Sequence, residues 1–313
     1  MQARWTATSE TTDVAVGDYT KYRVGDIILV DDELMIITAV DSSGLDVTKG
    51  YGGTTDASHT SGATITILGN AALEGGDADD PLSANRSRVY NYTQIIRSRT
   101  ISVSDTTAAV SMIGISSEYE HQKALAVKEC LRMLEAFAIL GRDPSSTPQG
   151  SDTVRRSMNG LYGFVSTSAF NASSVALTET LFNGYLRQMW DNGATAVDFA
   201  LVPSYQKSVI SSFKRSLQNY APDDGTDVSR TLYYQTDFQE KPIRLILSRF
   251  VPTDEIVLGD SSKIKIVPLK GMSFYHKPLS VSGDYVKGFV QGEYTLEVRH
   301  EECVGRIYGL ATS

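Results

Sequence analysis

"SSEYEHQKALAVKECLRMLEAFAILGRDP" (residues 116–144) is the stretch on which the reading of the fold turns. It opens with Ser117 and Glu120 at capping-box spacing, where the serine hydroxyl accepts an orphan amide of the first turn, and it closes with Gly141 and Pro144. Ala124, Val127, Leu131, Leu134 and Ala138 recur at steps of three and four, so the spacing predicts a helix over 117–141 with one stripe facing a core. At ~1.5 Å per residue that helix is roughly 35 Å long, enough to serve as a spine.

Just upstream, "YNYTQIIRSRTISVSD" (90–105) alternates as a strand does, with Ile95, Arg97, Arg99, Ile101 and Val103 expected on one side of the pleat. Three of these are apolar and two are arginines, which describes a ribbon with one face available to a partner. Further upstream, "TDVAV", "DIILV", "LMIITAV", "LDVT" and "TITIL" are short strand patterns within residues 11–70, separated by turn residues, and predict a small barrel or sandwich. Between barrel and ribbon, residues 71–87 are small and acidic, with Glu74, Asp77, Asp79 and Asp80, and read as a linker. Downstream, "LTETLFNGYLRQMWDNG" and "SYQKSVISSFKRSLQNY" predict two helices bracketing the strand "VDFALV", an α/β lobe. From Thr231 onward the pattern returns to strands.

The gross composition sets limits. A chain of 313 residues with 41% hydrophobic and 21% charged residues buries a full core, and no apolar run approaches a membrane span. "MQARWTATSETTD" shows no secretory pattern. A formal net charge of −8 argues against a dedicated nucleic-acid reader, so any contact with nucleic acid is expected to be weak and local. Cys130 and Cys303 lie far apart within helix and strand patterns and read as reduced, buried thiols, with cytoplasmic folding the default.

"VTKGYGGTTDASHTSGATITI" (47–67) is the stretch closest to a phosphate-binding loop. Lys49, however, precedes the glycines and a strand follows where a phosphate site needs a helix N-terminus, and Thr55 occupies the third position of the dinucleotide fingerprint. A strand-to-strand connection with glycines at positive φ is the expectation. His59, His121, His276 and His300 stand apart from one another and from both cysteines, so no metal site is expected; each histidine is read as a surface or hydrogen-bonded residue. Ser204 follows a proline with no base identifiable, and Asp31, Asp32 and Glu33 are adjacent, which suits a soluble strand edge or solvated turn. No catalytic residue, cofactor or metal is expected. The arginines are more informative: Arg4, Arg86, Arg88, Arg97 and Arg99 sit in or beside the ribbon, where a forked guanidinium suits recognition across a subunit boundary.

The succession "NYTQIIRSRTISVSDTT", "GISSEYEHQKALAVKECLRMLEAFAILGR", "YQTDFQEKPIRLILSRFVPTDEIVLGDSSKIKIVPLKG" and "GDYVKGFVQGEYTLEVRHEECVGRIYGLAT" resembles the major capsid proteins of tailed bacteriophages over residues 88–312. Residues 23–71 resemble a small β-barrel module that recurs in phage structural proteins. The resemblance implies an α+β chain of the Hong Kong 97 capsid fold with an inserted barrel. Its parts would be an extended hairpin (1–10 and 88–108), the barrel (11–70), the acidic linker (71–87), a peripheral domain (109–174) with spine helix 117–141, an axial α/β domain (175–260) and a peripheral sheet (261–313). Arg4, Trp5, Arg86, Arg88, Arg97 and Arg99 are then the expected inter-subunit residues of the hairpin. The family carries an N-terminal arm ahead of that hairpin, and here the chain starts almost at the hairpin strand. Nothing in the sequence pairs Lys21 or Lys49 with an asparagine, and no crosslink is expected.

So read, the protein is a head-shell protein that self-assembles as hexamers and pentamers around double-stranded DNA, assembled in the host cytoplasm and resident in the virion. Its partners would be itself, the portal, scaffold and decoration proteins, with weak contact to packaged DNA and none to membrane. A phage decoration or tail protein carrying a β-barrel is the alternative from another class, and a carbohydrate-active or nucleotide-binding enzyme rests only on the loop at 47–67.

Overall fold

The structure, a computed structural model of the chain, describes residues 13–72, 74–75, 89–110, 114, 116–144, 146–213, 216–219, 231–239, 241–280 and 283–312. It divides into two compact units, residues 1–87 and 88–313.

The first unit is an antiparallel sheet of β1 (Asp13–Val14), β2 (Asp26–Val30), β3 (Glu33–Val40), β4 (Leu45–Thr48) and β5 (Ile65–Asn70), in the order β1-β4-β3-β2-β5. Alternate residues of β2, β3 and β4 are buried, as a sheet with one dry face requires. Ile28 lies opposite Met35 and Ile37 opposite Val47, and with Val14, Val30, Leu45, Ile65 and Tyr22 they make the core. Among the described residues β1 and β5 are the sheet edges and do not pair with each other. The expected acidic linker lies largely outside the described residues.

In the second unit, β6 (Gln94–Arg97) and β7 (Ile101–Ser104) lead through α1 (Asp105–Ala109) to α2 (Glu118–Leu140). Then come α3 (Leu161–Phe164), β8 (Ala169–Asn171), α4 (Glu179–Asp191), β9 (Phe199–Val202), α5 (Ser204–Ser211), β10 (Ser216–Asn219), β11 (Thr231–Tyr234), β12 (Ile243–Leu247) and β13 (Ile256–Gly259). The chain ends with β14 (Ile264–Pro268), β15 (Tyr275–Pro278), β16 (Tyr285–Val298) and β17 (Val304–Tyr308).

Helix α2 starts where the capping pair predicts, with the Ser117 hydroxyl accepting the Glu120 amide. Its 23 residues match the expected spine length. It ends at Gly141, as expected, with φ −54°. Glycine is needed there because a Cβ would fall on the Phe137 and Met158 carbonyl oxygens, where the strand of chain around Gly160 crosses the helix end. The buried stripe is Ala126, Cys130, Leu134 and Ala138, with Ile139, rather than the stripe through Ala124 and Leu131; Leu131 is 51% exposed. Small residues at three of these positions let the helix lie close on the sheet beneath it.

That sheet is organised on β16, which pairs with β14 and β15 on one side and β6 and β7 on the other. Residues 88–108 are therefore not a free ribbon between Gln94 and Ser104, and residues 1–10 lie outside the described residues. The single pleat expected from Ile95 to Val103 is also broken. Arg97 faces Gln291 and Ile101 faces Gly288, so four steps on one side span three on β16. Ser98 fills the irregularity, donating its amide to the Val290 carbonyl while its hydroxyl accepts the Val290 amide. Burial consequently moves from Ile96 to Ile101 and Val103, while Ile95, Arg97 and Arg99 stay exposed.

A mixed sheet of seven strands, β10-β11-β12-β9-β13-β17-β8, forms the other half of the second unit. Phe182, Leu186 and Met189 of α4 and Ile210 of α5 pack with its Tyr234, Ile243, Ala200, Val202, Leu258 and Ile307. Two boundaries differ from expectation. β8 and β17, assigned to the peripheral parts, pair into this sheet. The second predicted helix stops at Ser211, and Ser216–Asn219 is instead a strand, because its backbone pairs with β11. β13 is buried on both faces: Ile256 and Leu258 enter the α4/α5 core, and Val257 enters the α2 core.

Candidate functional site

The loop after β4 is built around a carboxylate of the protein itself. Gly50, Gly52 and Gly53 take positive φ values, as the glycine pattern predicts. Glu33, at the start of β3 and 2% exposed, accepts the Gly50 amide (2.9 Å), the Ala57 amide (3.0 Å) and His59 Nε2 (2.9 Å). Lys49 Nζ turns onto Asp56 (3.1 Å) and the Ala57 carbonyl (3.1 Å). The loop amides and the lysine that a phosphate would need are thus already engaged. Glu33 departs from the solvated-turn expectation that holds for Asp31 and Asp32, both exposed.

Elsewhere the polar side chains brace elements. Glu255, 7% exposed, is held by both sides of the Arg306 guanidinium (Nε 2.8 Å) and by the Tyr162 hydroxyl, and the guanidinium lies over the Tyr162 ring at 4.3 Å. Its hydrogen bond to Glu255 raises the Arg306 pKa, while burial, then Glu255, raises that of Tyr162. Burial raises the Cys130 thiol, whose hydrogen goes to the Val290 carbonyl. A cleft of about 760 Å³ beside β6 is lined by Gln94, Ile95, Phe137, Gln149, Arg155 and Arg156. Arg156 is committed there to Glu293 and the Thr93 carbonyl. Among the described residues, no three His, Cys, Asp or Glu side chains converge as metal ligands, and no helix is long and apolar enough to cross a membrane.

Of the six residues expected at a subunit boundary, Arg4, Trp5, Arg86 and Arg88 lie outside the described residues. Arg97 and Arg99 share the exposed side of β6 and its continuation, in different states. Arg97 donates Nε to Gln291 Oε1 (2.8 Å) and lies over the Phe289 ring at 4.6 Å. Arg99 is exposed and makes no ion pair with a described residue. Sequence reasoning missed an apolar surface elsewhere in the same unit. Leu131 of α2 and Ile266 of β14, 51% and 48% exposed, border a groove of about 400 Å³ with Phe199, Leu201 and Ile264. The signal was present in α2, which carries more leucines than one buried stripe uses.

A family model described as SU10 major capsid protein matches residues 6–311 of this chain. No curated protein matches it. Among solved structures, the chain is similar to a holo-SrpI encapsulin complex from Synechococcus elongatus, at 13% identity over 71% of this chain and 75% of that one, with a TM-score of 0.49. It is also similar to a satellite phage P4 procapsid that includes the size determination protein, at 11% identity over 79% and 80% of the two chains and a TM-score of 0.47. For Mycobacterium phage Patience the identity is 10%, the coverage 77% and 79%, and the TM-score 0.47.

Proposed function

Because the chain belongs to the SU10 major capsid protein family, a structural and non-enzymatic component of the virion capsid, we propose that its copies tile an icosahedral head shell as hexamers and pentamers around double-stranded DNA. The family match over residues 6–311 carries this reading and favours a shell protein over the decoration or tail alternative. The Hong Kong 97 arrangement is part of the proposal. The five strands with α2 would be the peripheral part, the seven-stranded lobe the axial part, and residues 11–70 an inserted barrel. Arg4, Trp5, Arg86 and Arg88 would complete the boundary to which Arg97 and Arg99 belong. Portal, scaffold and decoration proteins would be the partners, with assembly in the host cytoplasm. A net charge of −8 suits an inner wall that holds DNA weakly, since phosphate affinity rises with each cation supplied.

The test uses Arg99→Glu. Arg97 is held by Gln291 and Phe289, so its replacement mixes folding with assembly, whereas Arg99 is exposed and unpaired among the described residues. Purified wild-type chain, with its scaffold if one is needed, is expected to give closed shells or rings by electron microscopy. The variant is expected to stay unassembled while its unfolding midpoint remains within about 0.5 kcal/mol of wild type. Normal shells from Arg99→Glu would remove this arginine from the boundary. A wild-type chain that stays monomeric at every concentration, alone and with scaffold, would overturn the shell reading.

A further inference from the structure

β6 is an edge strand of its sheet, and its outer rim is open. Glu293 of β16 turns its backbone away from β6, its amide donating to the Met272 carbonyl and its carbonyl accepting from the Leu269 amide. Direction alternates along an antiparallel ladder, so Gly292 and Tyr294 serve Ile96 and Gln94, and the N–H and C=O groups of Ile95 and Arg97 point away from β16. None of these outward groups has a hydrogen-bond partner among the described residues. The Thr93 carbonyl, next on the same rim, is taken by Arg156. The cleft of about 760 Å³ lies along this rim, with Phe137 of α2 and the chain from Gln149 to Ser157 as its other lining. Four residues of strand, at a rise of ~3.4 Å, ~4.8 Å from a neighbour and ~10 Å thick, fill roughly 650 Å³, so the space suits one added strand. The lining holds Arg155 and Arg156 and no aspartate or glutamate. Arg156 is committed to Glu293, whereas Arg155 is exposed and makes no ion pair among the described residues.

We propose that β6 accepts an extended, acidic segment of a different protein as an added strand, its backbone bonded to Ile95 and Arg97 and a carboxylate facing Arg155. Only the backbone of Arg97 is required, since its guanidinium is held by Gln291 and Phe289. Open N–H and C=O groups on a strand rim are matched by a peptide backbone and have no counterpart in a nucleic-acid strand. The residue of the segment opposite Ile96 faces the side of the sheet on which Phe137 packs, so an apolar side chain belongs there. A second copy of this chain is the poorer occupant. Its acidic run from Glu74 to Asp80 contains Gly75 and Gly76 and leads into Pro81, residues that strands avoid, and the acids of its described strands lie in strands already paired.

The test is fluorescence anisotropy at low ionic strength with the full-length chain and a labelled peptide, Glu-Thr-Val-Val-Glu-Thr amide. Saturable binding is expected. N-methylation of both valines, one of whose amides must face the rim, should weaken it roughly tenfold. Arg155→Glu should weaken it roughly fivefold or more while leaving the unfolding midpoint in place, and a peptide with lysine for each glutamate should prefer that variant to wild type. The modified peptides need no change to the protein, so they decide the matter even if Arg155→Glu disturbs folding. Failure of the wild-type chain to bind the acidic peptide, or binding indifferent to N-methylation or to the sign of the peptide charge, overturns the proposal. Binding by the unassembled chain that disappears in assembled shells would give the rim to another copy and overturn the occupant named here.

Discussion

Replacing Arg306 by methionine removes one half of the charge pair that joins Glu255, the residue before β13, to β17. Glu255 is 7% exposed and, among the described residues, would be left with the Tyr162 hydroxyl as its side-chain partner. Breaking a buried pair from one side costs ~3–5 kcal/mol, and the 23% exposure of the Arg306 side chain places the expected loss near the lower end, at about 3 kcal/mol. A Tyr162 and Tyr308 stack on the guanidinium is lost with it, at 4.3 and 5.1 Å, although the methionine stem recovers part of that packing. The companion Glu255→Leu/Arg306→Met leaves no buried charge, so its cost should be well below the sum of the single changes. About 1–2 kcal/mol remains, from the Tyr162 hydroxyl stranded without its acceptor, and adding Tyr162→Phe should recover most of it. The assay is urea unfolding followed by far-ultraviolet circular dichroism. Among the described residues every α-helix lies in the second unit, so the helical signal reports the unit that contains the pair. Additive single changes, or an Arg306→Met loss below about 1 kcal/mol, would refute the claim that Glu255 depends on this partner.

Gly288→Ala should cost ~1–3 kcal/mol in the same assay, because its Cβ would land on the Tyr119 hydroxyl and His276 Nε2, which meet at 2.9 Å over the β16 backbone. Gly184→Ala, on α4 with open space around it, should instead stabilise by up to about 1 kcal/mol; a matched loss at both sites would mean that space is not the cause. Glu301 supplies a pH prediction. Burial pushes its carboxyl up, but the Ser166 and Thr167 hydrogen bonds outweigh burial and hold its pKa below the ordinary 4.5. The stabilisation is therefore complete above 4.5 and lost as pH falls through the lower folded value, so the acid slope of the wild-type unfolding midpoint should flatten in Glu301→Gln, and an unchanged slope would assign it to other carboxylates.

How far the sequence discloses this molecule depends on the range of the contact involved. Helix α2 was legible in position and length because its capping pair and its periodicity are local, although the reason for glycine at its end, the approach of Met158 and Gly160, is not. Its facing was not, since the sequence does not show that the sheet below prefers the small side chains of Ala126, Cys130 and Ala138 to Leu131. The strand character around Ile95–Val103 was legible, whereas the slip at Ser98 exists only through its exchange of hydrogen bonds with Val290, far along the chain. The helix expected to run past Ser211 gives way to β10 for a similar reason: pairing with β11 takes up backbone groups whose local sequence suits a helix equally well. Glu33 left a usable clue. In β3 it shares the parity of Met35 and Ile37, so the alternation that buries them buries a carboxylate too. A carboxylate on that face requires donors, and the glycine-rich loop with its histidine is where they are found. The same reasoning explains why Glu33 and Glu255 read as braces: each is saturated by partners from its own unit, whereas Arg99 is exposed and makes no ion pair among the described residues.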